Sequence, residues 1–541
     1  MATWLKKVKF IHFFWSFFYI FLFLLVLRGG FNYLDPDFGW HLQVGREIAQ
    51  TETVPIFNQY NYSFTGTWVD HEWLSNLSIY WIFGQVGYPG LVIFFTSLIV
   101  LINILLAVIV RRHWPQVSPF LIIGLQLFGT IASLPHFGVR VQEIGVLFLF
   151  LLLFTLNTYT RRRNWLILLP LIPLIYLWSC LHGSFLIGLF IILAWAGVKS
   201  GEKIISSWKF LSWLDFSAVL KWRQLCLIFI FFGLTLGVTF FTPYKLSLYS
   251  FLGGYQNTFY FSRIQEWLSQ FSYPFQYWQL LYLALAGFLL LLYLYQVRQK
   301  QRKANLWSLF LGLLFFVLSF KSRRHFPLFF VASFPLLIDV LQMIILEIKS
   351  TKGNVLEPSA RLQISPWLRG YLLLCLCLAI AWQVVSLKVI KDPWQGFCHR
   401  YPCAAVTFLK SRPELKDARL FNDYGWGGYL IGVWPDKPLF IDGRLPQVEF
   451  AGHTFLEEYL EFFAPGEGIK NKLSEYQIQQ ILLPVKDQKV IPKKWERIFF
   501  SLPLNDSLTP NYLREYLSAS QDWLPIYYDG TAIIYSQNYA R

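Results

Sequence analysis

The chain has 541 residues, 55% of them hydrophobic and only 14% charged, where soluble domains carry about 25% charged residues. Its mean hydropathy of +0.44 excludes an ordinary soluble enzyme and predicts many membrane spans. The net charge of +16 does not point to nucleic acid: residues 1–388 hold 30 Lys and Arg against 13 Asp and Glu, while residues 389–541 hold 17 against 18. The basic excess sits where short cytoplasmic loops collect cations.

The chain opens with MATWLKKVKF and an apolar run over 11–27 that no small-residue cleavage site follows. It reads as an uncleaved first span, with Lys6, Lys7 and Lys9 holding the N-terminus in the cytoplasm. About eleven spans in all are read from hydropathy, the first included, near 11–28, 89–110, 118–134, 144–160, 165–181, 183–199, 224–241, 278–297, 306–320, 326–346 and 368–388. The runs are continuous rather than alternating, so they are helices, which satisfy their own backbone groups in lipid. Starting inside, the cytoplasmic loops contain Arg111-Arg112, Arg161–Arg163, residues 200–223, 296–303 and 347–367, all basic. The opposite loops are 29–88, 135–143, 242–277 and 321–325; the first three are poor in Lys and Arg, and the last, Lys321–His325, breaks the rule. An odd count sends 389–541 outside as a small α/β domain. There Ala404–Lys410 and His453–Phe463 read as helices, and Leu439–Ile441, Gln479–Leu483 and Ala532–Tyr535 as strands. NDYGWGGYL (422–430) reads as a sharp turn or binding loop. Cys398 and Cys403 form a disulfide loop if that domain is exported.

The chemistry gathers in loop 29–88. Asp35-Pro36 is a good N-cap with Pro at the first helical position, which places Asp37 in the first turn and His41 on the same face. Asp70 caps a second surface helix, HEWLSNLSIYWIFGQVG; its His71 and Glu72 are not a HExxH zinc pair, because Ser75 stands where the second His belongs. Two acidic clusters in one external loop point to catalysis or metal binding by Asp35 or Asp37, with His41, His71 and Glu72 as binding residues. Arg140, Arg323 and Arg324 lie at outer span ends and suit a phosphate, since the guanidinium fork donates two hydrogen bonds at once. His182 ends a span beside Gly183, and Glu266 with Trp267 offers an acid and an aromatic to a sugar or lipid. No Walker A, GxGxxG or GxSxG element stands in a convincing context, so an outward-facing enzyme needs a donor already activated and carried by the membrane.

The order DPDFGWHLQVGREI, HEWLS, HFGVRVQE, LHGSF, IQEWLS, RRHFPLF and NDYGWGGYL…FIDGR resembles bacterial members of the GT-C membrane glycosyltransferase superfamily, over nearly the whole chain. The resemblance implies a polytopic helical membrane domain at 1–388 with a first external loop at 29–88, and an extracytoplasmic domain at 389–541, in the plasma membrane. It implies a polyprenyl-phosphate-linked sugar donor, an extracytoplasmic acceptor, and an acidic catalytic residue in the first external loop, which falls on Asp35 and Asp37. In some branches a divalent metal assists, here Mg²⁺ or Mn²⁺ on Asp37. Tyr424 lies in a segment similar to the WWDYG region of oligosaccharyltransferases, although the paired Trp is absent. The competing readings are a lipid-linked saccharide transporter, which the scarcity of ionisable residues inside the spans disfavours, and a non-catalytic assembly protein acting through the exported domain.

Overall fold

The computed structural model describes residues 10–256, 258–299, 301–351, 366–450, 452–466, 468–485, 492–500 and 511–537. The amino-terminal lysines and most of loop 347–367 lie outside the described residues. The chain divides into two compact units. The first holds 1–33, 89–245 and 265–389; the second holds 34–88, 246–264 and 390–541.

The first unit is helical. All eleven expected spans are helices: Phe10–Asn32, Trp73–His113 (its part beyond 88), Pro119–Ser133, Gln142–Arg162, Leu171–Leu181, Phe185–Ile205, Trp222–Thr239, Tyr277–Arg298, Leu306–Lys321, Phe326–Thr351 and Pro366–Ser386. Among the described residues nine segments are long and apolar enough to cross a membrane, and Trp165–Leu181 and Leu306–Lys321 are shorter apolar helices. The helix from Trp73 is broken at Gly87, whose φ of 64° a side chain would resist, just before Pro89. Asp339, inside the helix Phe326–Thr351, is paired with Arg302, which also lies over the Tyr293 ring.

The second unit is built from three distant stretches of chain. Its core is a four-stranded mixed sheet of β1 (Leu420–Asn422), β4 (Gln480–Pro484), β5 (Trp523–Tyr528) and β6 (Ala532–Gln537), in the order β1-β4-β6-β5; β2 (Glu449–Phe450) and β3 (His453–Thr454) form a separate hairpin. Only β1 and β4 are parallel. Phe421, Phe440, Phe455, Phe462, Ile481 and Leu513 are fully buried, and Tyr62, Phe64, Phe259 and Ile264 from the other two stretches pack on them. Each buried Phe contributes roughly 1.5–3 kcal/mol.

Several local expectations are corrected. Leu439–Ile441 is not a strand: Leu439 makes only isolated bridges to Asn61 and Leu420. The Asn422 side chain takes the hydrogen bonds a ladder would need, accepting from Phe440 N and donating to Ile441 O. The helix expected from His453 begins at Phe455, because Thr454 and Glu457 close a capping box there. NDYGWGGYL is no open loop. After Asn422 it makes one 3-10 turn and enters the helix Gly427–Val433.

The glycines of that helix let it lie directly on the helix Phe38–Thr51. A Cβ on Gly39 would stand 2.1 Å from Gly428 O, and one on Gly428 would stand 2.0 Å from Pro36 O. Trp394, on the short helix Pro393–Gly396, fills the adjoining space, 5.5 Å from the Phe38 ring, and the disulfide Cys398–Cys403 closes the loop that follows it. Gly39→Ala should therefore lower the melting temperature by several degrees. Overpacking costs about 1–3 kcal/mol, and backbone carbonyl cannot swing aside as a side chain can.

Candidate functional site

From residue 34 on, the acidic loop lies in the second unit, and its first cluster starts a helix two residues later than expected. Asp35 closes an Asx turn, its Oδ1 accepting from Asp37 N at 2.9 Å. The helix begins at Phe38 with Asp37 at the N-cap and no side-chain cap bond. Asp37 Oδ1 instead accepts from Trp40 Nε1 at 2.9 Å. Helical spacing buries His41, Val44, Gly45 and Ile48 on one face. The Asp37 carboxylate also lies against Gly443 of the FIDGR segment, where an added Cβ would stand 2.1 Å from Oδ1.

The second cluster joins His41 in a buried polar chain. Asp70 is fully buried, so the expected surface cap is an interior one. Its Oδ1 accepts from Glu72 N at 3.1 Å and its Oδ2 from Asn76 Nδ2 at 2.8 Å. With its amide nitrogen on Asp70, Asn76 turns Oδ1 to His41 Nδ1 at 2.5 Å. His41 Nδ1 is then the donor, which leaves Nε2 facing Glu72 Oε2 at 3.8 Å. Glu72 Oε1 lies 3.3 Å from His71 Nε2, and the His71 ring packs against Phe251 and Tyr255. Asn76 was not anticipated; its spacing of four from Glu72 was the available signal.

Burial sets the protonation of this chain. It pushes the Asp70 carboxyl up from 3.8 to about 7, against the lowering effects of His71 and Asn76. It lowers His41, against the charge of Glu72. Asp70 binds its proton more tightly folded than unfolded, so its contribution to stability is fully present below about pH 4 and is lost as the pH rises to about 7. Asp423, pushed up to about 6 by burial, acts in the same direction. The melting temperature should fall between pH 5 and pH 8 in the wild type. Asp70→Asn should flatten that fall, and a slope unchanged in the variant would remove Asp70 as its source.

Arg444 holds the loop against the sheet domain. Its Nε and Nη2 meet the two Asp442 oxygens at 2.8 Å each, and Nη2 also donates to Asn58 Oδ1 and Asn61 Oδ1 at 3.0 Å. The guanidinium lies 4.7 Å from both the Tyr60 and the Trp68 ring. Asp442 and Arg444 fall in the FIDGR segment, which carried the resemblance without a role for either residue, and Asn58, Asn61, Tyr60 and Trp68 were not singled out. Tyr424 is core-bound, its N donating to Tyr459 OH at 3.2 Å.

The basic residues gather in the first unit. Glu266 pairs with Arg140 and, at 3.8 Å, with Arg324. Arg140 lies over Tyr33 and Arg324 over Trp267. Burial opposes the Glu266 charge, but Arg140 and Arg324 outweigh it and hold the carboxyl down at about 2. Arg323 is almost fully buried and donates to Ser272 O. Backbone bonds fix this corner: Arg323 N to Leu268 O, Arg324 N to Glu266 O and Gln270 N to Phe320 O. His182 forms a tight turn after its span, with Nδ1 2.7 Å from Ser184 Oγ.

Hard oxygen donors for Mg²⁺ or Mn²⁺ exist at Asp35 and Asp37, although Trp40 already engages one Asp37 oxygen. Among the described residues, one trio brings His and acid ligand atoms together: His453, Glu458 and Glu461. Lys472 Nζ lies 2.6 Å from both glutamates, so an ammonium already supplies the counter-charge there.

No protein-family model matches the chain, and no curated protein does. Solved structures do. The apo oligosaccharyltransferase of Archaeoglobus fulgidus aligns with a TM-score of 0.50 and 11% identity, over 89% of this chain and 70% of that one. The same enzyme tethered to an acceptor peptide gives 0.48 and 11%, over 83% and 65%, so this chain spans less than two thirds of that one. Its complex with an inhibitory peptide and a dolichol-phosphate gives 0.42 and 11%, over 88% and 70%. At this identity the likeness is one of fold: the chain is a multi-pass helical protein with the fold of that oligosaccharyltransferase and a small mixed-sheet domain at its C-terminal end.

Proposed function

We propose that the chain is a glycosyltransferase of the bacterial plasma membrane that moves a sugar from a polyprenyl-phosphate-linked donor to an extracytoplasmic acceptor. The observation that carries the reading is the GT-C fold along 89% of the chain together with two acidic clusters in its first polar loop. Asp35 or Asp37 takes the proton of the acceptor hydroxyl as it attacks the anomeric carbon. The bond from that carbon to the phosphate oxygen breaks, and the phosphate keeps the electron pair. Arg140, Arg323 and Arg324 serve the phosphate and offset its developing charge. His41, His71, Glu72, His182, Glu266 and Tyr424 are assigned to substrate binding, and a Mg²⁺ or Mn²⁺ ion, when bound, is held by Asp37 and supplies Lewis-acid assistance.

Parity supports the topology. Among the described residues six apolar helices separate 88 from 246 and four separate 264 from 390, when the shorter Leu171–Leu181 and Leu306–Lys321 are counted as spans. Even numbers return the chain to one side, as the packing of 34–88, 246–264 and 390–541 into one unit requires. The basic loops assign the other side to the cytoplasm. With an N-terminus inside, the second unit is external.

The test is covalent transfer of labelled sugar from a polyprenyl-phosphate donor to cell-envelope acceptors by the purified protein in nanodiscs. Translocation of the donor across liposomes with no covalent product would overturn the reading.

A further inference from the structure

The face of the first unit that carries Arg161–Arg163 and residues 200–223 does more than collect cations. The bias of Lys and Arg toward one side of a membrane governs insertion and asks for no folded surface. Here there is one. Leu214 bridges Ala304 of a second loop on that face, with Ala304 N donating to Trp213 O and Asp215 N to Ala304 O, each at 2.8 Å. Leu214 and Ala304 are both buried. Arg163 Nη2 donates to Val219 O at 3.4 Å and Tyr159 OH to Gln224 O at 3.1 Å. The turn after the helix Gln142–Arg162 is therefore joined to the same loop.

This scaffold turns two kinds of side chain outward. Arg161, Arg162, Arg163, Lys209, Lys221 and Arg223 are exposed, and among the described residues none of them pairs with a carboxylate. Residues 200–223 hold only two acids. Glu202 is buried and takes the Lys199 ammonium at 2.8 and 3.1 Å, and Asp215 turns Oδ1 to Ser217 N at 3.0 Å. Beside the cations stand the exposed rings of Trp165, Trp208, Phe210, Trp213 and Trp222, with Phe210 73% exposed. The Trp208 and Phe210 rings stack 5.7 Å apart across the 3-10 turn Lys209–Leu211.

We propose that residues 203–223, with the turn 161–165, form a docking surface for anionic phospholipid headgroups. Charge complementarity selects the ligand: guanidinium and ammonium groups without counter-acids suit lipid phosphates that carry no amine of their own. The rings select a lipid layer over a soluble anion. Trp and Phe settle where an apolar ring meets acyl chains and a polar edge meets headgroups, whereas a nucleic acid or an acidic protein would answer the charge alone. The adjoining helices Gln142–Arg162, Phe185–Ile205 and Trp222–Thr239 are long and apolar enough to cross the membrane, so their own leaflet supplies the headgroups. The inference goes beyond sugar transfer and does not depend on it.

The full-length protein is reconstituted into vesicles of equal parts phosphatidylglycerol and phosphatidylcholine, extracted in mild detergent, and the two retained lipids are quantified. Phosphatidylglycerol should be retained in excess, by about fivefold or more, since each cation at an anionic surface favours it about that much. About 1 M salt, which shortens screening to about 3 Å, should remove most of the excess. The variant Arg162→Gln, Lys209→Gln, Lys221→Gln, Arg223→Gln should bring the ratio back to about one. Arg162→Glu with Lys209→Glu, a second and smaller change, should lower it in the same direction. All four side chains are exposed, and unchanged melting temperatures check that the fold survives. Arg412→Gln with Lys470→Gln, which removes exposed cations of the second unit, should leave the excess intact. Equal retention of both lipids by the wild type overturns the surface. So does a full excess in the four-site variant, or a loss as large in the second-unit control.

Discussion

Arg444→Met is expected to destabilise the second unit by about 3–5 kcal/mol, because removing one member of a buried ion pair leaves the other uncompensated. Asp442 is fully buried and Arg444 nearly so. The same substitution strips the acceptors Asn58 and Asn61 of their donor and opens the space between the Tyr60 and Trp68 rings. The melting transition of the unit should drop by roughly 6–20 °C, and protease should cut loop 34–88 earlier than in the wild type. The double variant Asp442→Asn, Arg444→Met should recover part of the loss, since it no longer buries a lone charge. A single variant that melts like the wild type would show that the loop is held elsewhere.

Asp37→Asn is expected to lower sugar transfer by roughly 10²–10⁴-fold, the range a general base contributes, while the protein stays folded. The amide oxygen can still accept from Trp40 Nε1, so the substitution removes charge and basicity but keeps the hydrogen bond. Asp35→Asn keeps its turn in the same way, by accepting from Asp37 N. The pair therefore tells which carboxylate works, and full activity in both would end the assignment. Gly443→Ala gives an independent check. It changes no ionisable group, yet its Cβ would stand 2.1 Å from Asp37 Oδ1, so it should reduce transfer by displacing that carboxylate. Wild-type transfer in this variant would mean that the position of Asp37 is not critical.

The spans were legible because lipid leaves the backbone no alternative to a helix, and each apolar run became helical, the run at 165–181 as a 3-10 turn and a short α-helix. The acidic clusters were legible as helix starts, but not their details. Asp35 makes its own turn, so the helix begins at Phe38 rather than Pro36, and capping rules do not say which of two acids ends outside. Glycine was the most misleading residue. NDYGWGGYL has the composition of a loop, yet Gly428 and Gly432 serve the close approach of two helices, and a sequence does not separate these uses. The Arg444 box was invisible because Asn58 lies 386 positions away.

The division of the second unit among three stretches also shapes how the protein is made. Loop 34–88 emerges early, but its buried partners Asp442 and Arg444 belong to a stretch that begins about 300 residues after the loop ends. At ordinary elongation rates that is roughly 15–60 s of synthesis. Through that interval Asn58, Asn61 and Tyr62 await the residues that will cover them. The loop is thus a long-lived nascent intermediate until the last strands of its unit are made. A premature stop before β1 would leave all the membrane helices in place and deprive the acidic loop of the surface that shapes it.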